Sequence, residues 1–239
     1  MSDVDVTRRS GTVLVAGGTG GLGVAVLRCL LDAGHPVVAT WRSQRERDRT
    51  REELGDAGGL TLVEADLLDA ASVDAVVAGA GAEGLSSVVN LVGGYAGGQP
   101  VHQTDPEQFE GMLRLNLRPT FLLARAAMPR LVEAGGGTFV AVSSRAAVRP
   151  FAGAAGYITA KAGVLALVAA LDAEYRDAGV RANVVLPSVI DIPANRAAQP
   201  DADHARWVPA EQIAEVIRFL VSAESAPLSG AQIPVYGRA

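Results

Sequence analysis

The chain has 239 residues and a formal net charge of -5. That length suffices for one large α/β domain with a substantial core, and the negative balance argues against a nucleic-acid surface as the main function. Hydrophobic residues are 49% of the total and aromatics only 5%, so extensive disorder is excluded and the core must come from Val, Leu, Ile and Ala.

In chain order, the acidic start Met1-Ser2-Asp3-Val4-Asp5 does not read as a secretory signal, and no apolar run reads as long enough to cross a bilayer. A cytoplasmic protein without a membrane partner is the expectation. Thr12-Val13-Leu14-Val15-Ala16 is a β-prone run set between Ser10-Gly11 and a glycine loop. The loop, Gly17-Gly18-Thr19-Gly20-Gly21-Leu22-Gly23, leads into a helical run containing Cys29, with Gly34 and Pro36 as stop signals. Strand, glycine loop and helix form the layout that wraps a pyrophosphate, because backbone N–H groups and the positive helix end face the phosphates. Two glycine registers satisfy the pattern: Gly18, Gly20 and Gly23, or Gly17, Gly21 and Gly23. Cys29 is the single cysteine, so no internal disulfide and no multi-cysteine metal site is expected; its expected place is the buried side of the first helix.

Val37-Val38-Ala39-Thr40 reads as the second strand, followed by Trp41-Arg42-Ser43. In a dinucleotide fold, residues here meet the adenosine ribose: a carboxylate would bind a free 2′-hydroxyl, an arginine a 2′-phosphate. This chain offers Arg42 and no carboxylate, so NADP(H) is favoured over NAD(H); the alternative is that Arg42 merely opens the charged helix Arg45 to Glu53. Leu60 to Ala65 is the third strand. Asp66 and Leu67 follow it, placed to touch an adenine ring, although Asp66 could equally cap the helix that starts near Asp69.

The fourth strand, Ser87 to Val92, contains Asn90 and runs into Gly93-Gly94-Tyr95-Ala96-Gly97-Gly98, a loop suited to close backbone approach to a ligand, with Tyr95 as one wall of a pocket. Asp105-Pro106-Glu107 opens a long helical segment to Glu133, in which Asn116 is a buried amide that needs partners and Pro119 and Pro129 imply a bend or a break. Thr138 to Val142 is the fifth strand, delivering Ser143 and Ser144 to its C-terminal end, where open α/β sheets keep their ligands. The helix after it carries Tyr157 and Lys161, four residues apart and so on one face. A free tyrosine has a pKa of about 10. A neighbouring ammonium should pull it down and suit the phenol to trading protons with an alcohol or carbonyl oxygen. Val180 to Leu186 is the sixth strand, Pro187 to Trp207 reads as an irregular polar lid, Ala210 to Ser222 as a helix, and Ala231 to Val235 as a last strand. The sum is a Rossmann-type, doubly wound α/β fold: one seven-stranded parallel sheet flanked by helices in a single domain, with a substrate lid at about residues 187–210.

The glycine loop, Asn90, Asn116, Ser144, Tyr157 and Lys161 together resemble the short-chain dehydrogenase/reductase family over Thr12 to Val235. Ser144 stands thirteen residues before Tyr157, the family's usual spacing, which selects it over Ser143. The resemblance implies that Tyr157 exchanges the proton, Lys161 lowers its pKa and holds the nicotinamide ribose, Ser144 bonds the substrate oxygen, and Asn116 supports a proton relay. It also implies cofactor contacts from Gly17, Thr19, Gly20, Gly21, Leu22, Gly23, Trp41, Arg42, Ser43, Asp66, Leu67, Asn90, Val92, Gly93, Pro187, Val189 and Ile190, and a homo-oligomer, a tetramer or a dimer. Tyr95, Ser144, Phe151 and Trp207 are the candidate substrate contacts, with Phe151 and Trp207 equally able to be packing residues.

Three positions depart from the family pattern: Ala16 for a loop-fixing Thr, Ser188 for a Gly after Pro187, and Ile192 for the Thr that binds the carboxamide. The 93–98 loop and parts of 191–207 are also similar to dihydropteridine reductase-like members, which suggests a flat or quinonoid substrate, although Arg42 and Ser144 are unlike those enzymes. The expected activity is NADP(H)-dependent reduction or oxidation of a small carbonyl or alcohol; the alternatives are quinonoid reduction and a non-catalytic dinucleotide sensor.

Overall fold

A computed structural model describes residues 11–55, 57–82 and 84–238; the calls on Met1 to Asp5 and on Ser10 lie outside them. The strands are β1 (Thr12–Ala16), β2 (Val37–Trp41), β3 (Leu60–Glu64), β4 (Leu85–Asn90), β5 (Gly137–Val142), β6 (Val180–Pro187), β7 (Ile190–Asp191), β8 (Val208–Pro209) and β9 (Gln232–Val235). The helices are α1 (Gly23–Asp32), α2 (Gln44–Leu54), α3 (Ala70–Ala80), α4 (Pro106–Asn116), α5 (Arg118–Glu133), α6 (Ala155–Tyr175), α7 (Pro193–Ala198) and α8 (Ala210–Val221).

Seven strands form one sheet in the order β3-β2-β1-β4-β5-β6-β9, and all its pairings are parallel. The chain therefore winds outward from β1 in one direction, then crosses to β4 and winds the other way. That reversal opens a crevice at the C-terminal ends of β1 and β4, where Ala16 pairs with Asn90. β1 and β5 are buried along their whole length, which explains why they read as continuous apolar runs rather than alternating ones. Alternation persists in where side chains go. Leu14 and Ala16 join a core with residues of α3, α5 and α6, while Val13 and Val15 join a second core with residues of α1 and α8 on the other face.

The expected long helix from Asp105 is two helices that meet at Leu117. Pro119 disfavours a helical residue before it and tolerates the first turn of a new helix, so the break falls at the start of α5; Pro129 stays inside α5. The expected irregular lid is more ordered than the sequence implied. It contains α7 and a two-stranded parallel ladder of β7 with β8, strands too short to show any periodicity.

The expectation of no membrane-length apolar run is corrected as well. Residues 155–178 are long and apolar enough by length and composition alone. In this fold that helix packs on β6 and α4 and buries Ala160, Lys161, Val164, Val168 and Leu171 among other residues, so its apolarity serves the core.

Candidate active site

The glycine loop is shaped by close contact. A Cβ at Gly23 would come within 2.2 Å of the Gly18 carbonyl oxygen, and one at Gly18 within 2.7 Å of the Ala39 Cβ. Gly17 has φ +77°, a conformation that glycine adopts without cost. The loop ends on α1, whose N-terminus has no side-chain cap and no acidic residue in its first turn. By contrast α3 and α4 are capped by Asp69 and Asp105. An uncapped, glycine-lined helix start offers its first N–H groups to an anion, so this loop fits a pyrophosphate.

Two side chains that sequence reading did not single out hold the loop. The Gly17 N–H donates to Thr40 Oγ1 at 2.9 Å, and Arg49 of α2 donates to the Thr19 carbonyl at 2.8 Å. Ala16 lacks the hydroxyl usual at that position, and the neighbouring strand brings a hydroxyl to the loop through Thr40. A third grip comes from the far side of the crevice. A Cβ at Gly21 would come within 2.8 Å of Ile192 Cδ1, so the residue that departs from the family pattern lies directly on the loop. Ser188 is accounted for too: its hydroxyl donates to the Tyr236 carbonyl at 2.8 Å. Val189 and Ile190 lie on the same segment, and their carbonyls already accept from the Val208 N–H and from Asn195 Nδ2. Pro187 is buried at the end of β6.

Past β2, Trp41 is 8% exposed and the Arg47 guanidinium lies 4.9 Å from its ring centre. Arg42 is exposed, Ser43 precedes α2, and none of the ion pairs among the described residues involves Arg42. Asp66 does not cap α3. Its carboxylate accepts from the Leu68 N–H, and Asp69 accepts from Ser72, which leaves Asp66 exposed beside the buried Leu67. Asn90 is locked at the end of β4 by Thr120 Oγ1 at 2.8 Å and by the Val92 N–H at 3.0 Å. Val92 packs against Gly17.

Ser144, just past β5, Tyr157 and Lys161 of α6 and Asn116 of α4 converge beside this crevice. Asn116 ends α4, where its Oδ1 accepts from the Gly94 N–H and its Nδ2 donates to the Gly94 and Met112 carbonyls. Gly93 explains how two polar side chains fit together. A Cβ there would sit 2.7 Å from Asn116 Oδ1 and 2.8 Å from Lys161 Nζ, so only glycine admits both. Lys161 is 5% exposed, donates to the Val142 carbonyl at 3.1 Å, and has its Nζ 5.9 Å from the Tyr157 ring centre. Ser143 is spent on structure, its hydroxyl donating to the Lys161 carbonyl at 2.7 Å. Ser144 Oγ accepts from the Ala146 N–H at 3.1 Å, and its hydroxyl is near enough to Tyr157 to act on the phenol's pKa.

The expected acidification of Tyr157 is not what the geometry produces. Burial pushes its pKa above 10, the Ser144 hydrogen bond opposes the rise, and Tyr95 adds to it. Burial also draws Lys161 down to about 8 from 10.5. The groups that act on the phenol are its burial, Ser144 and Tyr95, and Lys161 is not among them, its Nζ donating instead to the Val142 carbonyl.

Tyr95 and Phe151 lie by Tyr157 and are more than half exposed. Trp207 is placed otherwise: it is 8% exposed, with its ring centre 4.3 Å from that of His204, so it packs the segment that carries it. His204 also lies 2.9 Å from the Gln199 carbonyl. Cys29 is only partly buried and reaches Glu215 on α8 at 3.3 Å. Among the described residues no group of three or more His, Cys, Asp or Glu could hold a metal.

A family model described as short chain dehydrogenase matches residues 11–203. The chain belongs to that family. It is an oxidoreductase fold whose members bind nicotinamide cofactors. This short-chain dehydrogenase is 30% identical to 2,5-dichloro-2,5-cyclohexadiene-1,4-diol dehydrogenase LinX of Sphingobium indicum, over 94% of both chains. It is 28% identical to D-threitol dehydrogenase of Mycolicibacterium smegmatis over 98% of this chain and 95% of the relative. NADP-dependent 3-hydroxy acid dehydrogenase YdfG of Escherichia coli is 30% identical over 74% of this chain and 72% of its own. Among solved structures, a short-chain type dehydrogenase/reductase from Mycobacterium ulcerans superposes with a TM-score of 0.90 at 27% identity, covering 95% of this chain and 89% of that one. The narrower likeness to dihydropteridine reductases gains no support from these relatives.

The hydroxyl from β2 carries an expected result. Thr40→Val should leave the Gly17 amide without its acceptor, which costs about 1–3 kcal/mol in a buried setting, and Thr40→Ser should restore it. Denaturant unfolding together with dinucleotide titration checks both; nicotinamide dinucleotide affinity should fall about tenfold in the valine variant alone.

Proposed function

We propose that this enzyme interconverts a small carbonyl compound and its alcohol with NADP(H), with Tyr157 as the acid and base. The observation that carries the reading is the grouping of Tyr157 with Ser144 and Lys161, and of Lys161 with Asn116 at Gly93, beside an uncapped, glycine-lined helix start. The glycine loop, with Trp41, Arg42, Ser43, Asp66, Leu67, Asn90 and Val92, would hold the dinucleotide, which supplies or accepts the hydride when bound.

In the reductive direction Tyr157 gives its proton to the substrate oxygen as the carbonyl carbon receives the hydride, and Ser144 donates a hydrogen bond to that same oxygen. Charge developing on the oxygen is thus met by donors already in place. Lys161 then returns a proton toward Tyr157. Its value of about 8 lets it release a proton near neutral pH, and Asn116 holds the Gly94 backbone beside it.

Arg42 supports the choice of NADP(H), since an exposed guanidinium with no ion-pair partner among the described residues remains open to a 2′-phosphate. The relative YdfG is named NADP-dependent, which points the same way. The test is loss of nicotinamide absorbance against a panel of carbonyl compounds, with NADPH and NADH titrated separately. Arg42→Ala should weaken NADPH by about 10- to 100-fold, the worth of a charge-assisted phosphate contact, and leave NADH unchanged. A preference for NADH that the substitution does not alter would refute the assignment.

A further inference from the structure

Two loops of this molecule carry most of its exposed large hydrophobic side chains among the described residues. Tyr95, Val101, Val148 and Phe151 are 58%, 73%, 45% and 52% exposed and come from the segments after β4 and β5, and of these Tyr95 meets Tyr157 and Phe151 meets Tyr95. The other large hydrophobic residues exposed to a similar degree, Phe121 and Val132, lie on α5. Apolar surface concentrated at the mouth of a cleft marks a binding site.

Two rings of this group stand in defined relation to the reacting phenol. Tyr95 meets Tyr157 edge-on, with ring centres 5.2 Å apart and planes at 86°, and its ring centre lies 6.3 Å from that of Phe151 at 43°. The loops that carry them are stitched together. The Gly98 N–H donates to the Gly153 carbonyl at 2.7 Å, and a Cβ at Gly97 would come within 2.5 Å of that same oxygen and 2.8 Å of the Tyr95 hydroxyl. The rings are therefore held in place before any ligand arrives, which lowers the ordering cost of binding.

Charge on these loops points the same way. Residues 93–101 carry no ionisable side chain but Tyr95, and residues 145–153 carry no carboxylate. Of the two arginines there, Arg145 lies 5.4 Å over the ring of Tyr236. Neither loop carries a carboxylate to pair with an ammonium group.

We propose that Tyr95 and Phe151 form a ledge for an uncharged, planar ring of the substrate, so that the substrate class is aryl or conjugated ketones and the corresponding benzylic or allylic alcohols. A ring resting on the ledge keeps its attached carbonyl within reach of Tyr157, because Tyr95 already touches that phenol. Ring pairs at centre separations of 4.5–7 Å are favoured in stacked or edge-on arrangements, and a saturated ring of the same carbon count lacks the quadrupole that rewards them. The substrate class rests on the reductase reading above; the ledge itself does not.

The experiment compares acetophenone with cyclohexyl methyl ketone. Turnover is followed with NADPH, and binding is followed by titration calorimetry on the NADP+-loaded protein, in which no reduction occurs. Wild type should favour the aryl ketone by about tenfold or more in both readouts, two ring contacts being worth that much. Phe151→Leu should collapse the preference while Phe151→Tyr keeps it, and both should retain NADPH affinity. Equal treatment of the two ketones by wild type, or a preference that Phe151→Leu leaves intact, overturns the ledge. So does a Phe151→Leu protein that differs from wild type only in its light-scattering mass, because the patch is then a face between copies. Selective aryl binding that needs Phe151, with no carbonyl turned over, upholds the ledge and sinks the reductase reading.

Discussion

Tyr157→Phe should lower kcat by about 10²- to 10⁴-fold, the usual worth of a placed acid–base group, while NADPH binds as before. The substitution removes one oxygen. The ring remains, so its edge contact with Tyr95 and its place on α6 are retained. Loss of rate without loss of cofactor affinity therefore assigns the effect to the hydroxyl. Each tenfold step is 1.36 kcal/mol, so the expected loss is about 3–5 kcal/mol of transition-state stabilisation. The pH dependence follows from burial. Because the phenol is held above its ordinary value, it is protonated at neutral pH and ready to act as an acid in reduction. Oxidation needs the deprotonated form, so its rate should climb with pH across the alkaline range. Steady-state kinetics in both directions checks this. A Phe variant that retains most of the activity would remove Tyr157 from the chemistry.

Lys161→Met should abolish turnover and at the same time make the protein more stable at pH 7. Lys161 is 5% exposed, and burial depresses its pKa to about 8 from 10.5. Below pH 8 the folded protein keeps a buried ammonium and bears the whole desolvation cost. Between the two values the unfolded chain binds more protons than the folded one, so wild-type stability rises with pH through that window. At 1.36 kcal/mol for each pKa unit, the full cost is about 3 kcal/mol. Methionine fills similar space but leaves the Val142 carbonyl without its donor, which returns about 1 kcal/mol. The net gain is about 2 kcal/mol, a rise in Tm of about 5 °C for a chain of this size. The advantage should shrink as pH climbs from 8 toward 10.5, and thermal unfolding at several pH values reads it. A methionine variant less stable than wild type at pH 7 would mean that the lysine is not strained by burial. A residue that weakens the fold is retained where chemistry requires it.

What could be read from the chain alone was whatever is local in sequence. The glycine spacing after β1, the four-residue step from Tyr157 to Lys161 and the thirteen-residue step back to Ser144 each lie within one strand–loop–helix unit. Apolar runs announced the central strands of the main sheet, because a strand covered on both faces must be apolar throughout, whereas the edge strands β3 and β9 are only partly buried. Less visible were elements whose existence depends on a distant partner. β7 and β8 are two residues each, and neither exists without the other. The break at Leu117, by contrast, was foreshadowed by Pro119, which stands in the first turn of α5.

The local pattern of residue types and spacings thus determined the fold family and the identity of the four polar residues, because backbone propensity and periodicity act over a few residues at a time. Only the folded chain decided how those residues are held. Thr40 reaches Gly17 from the next strand, Arg49 reaches Thr19 from α2, and the absence of a Cβ at Gly93 lets Asn116 and Lys161 face the same point. It also decided the protonation behaviour. Desolvation depends on what surrounds a group in three dimensions, so the phenol that the linear spacing implied to be acidified is instead raised by its burial.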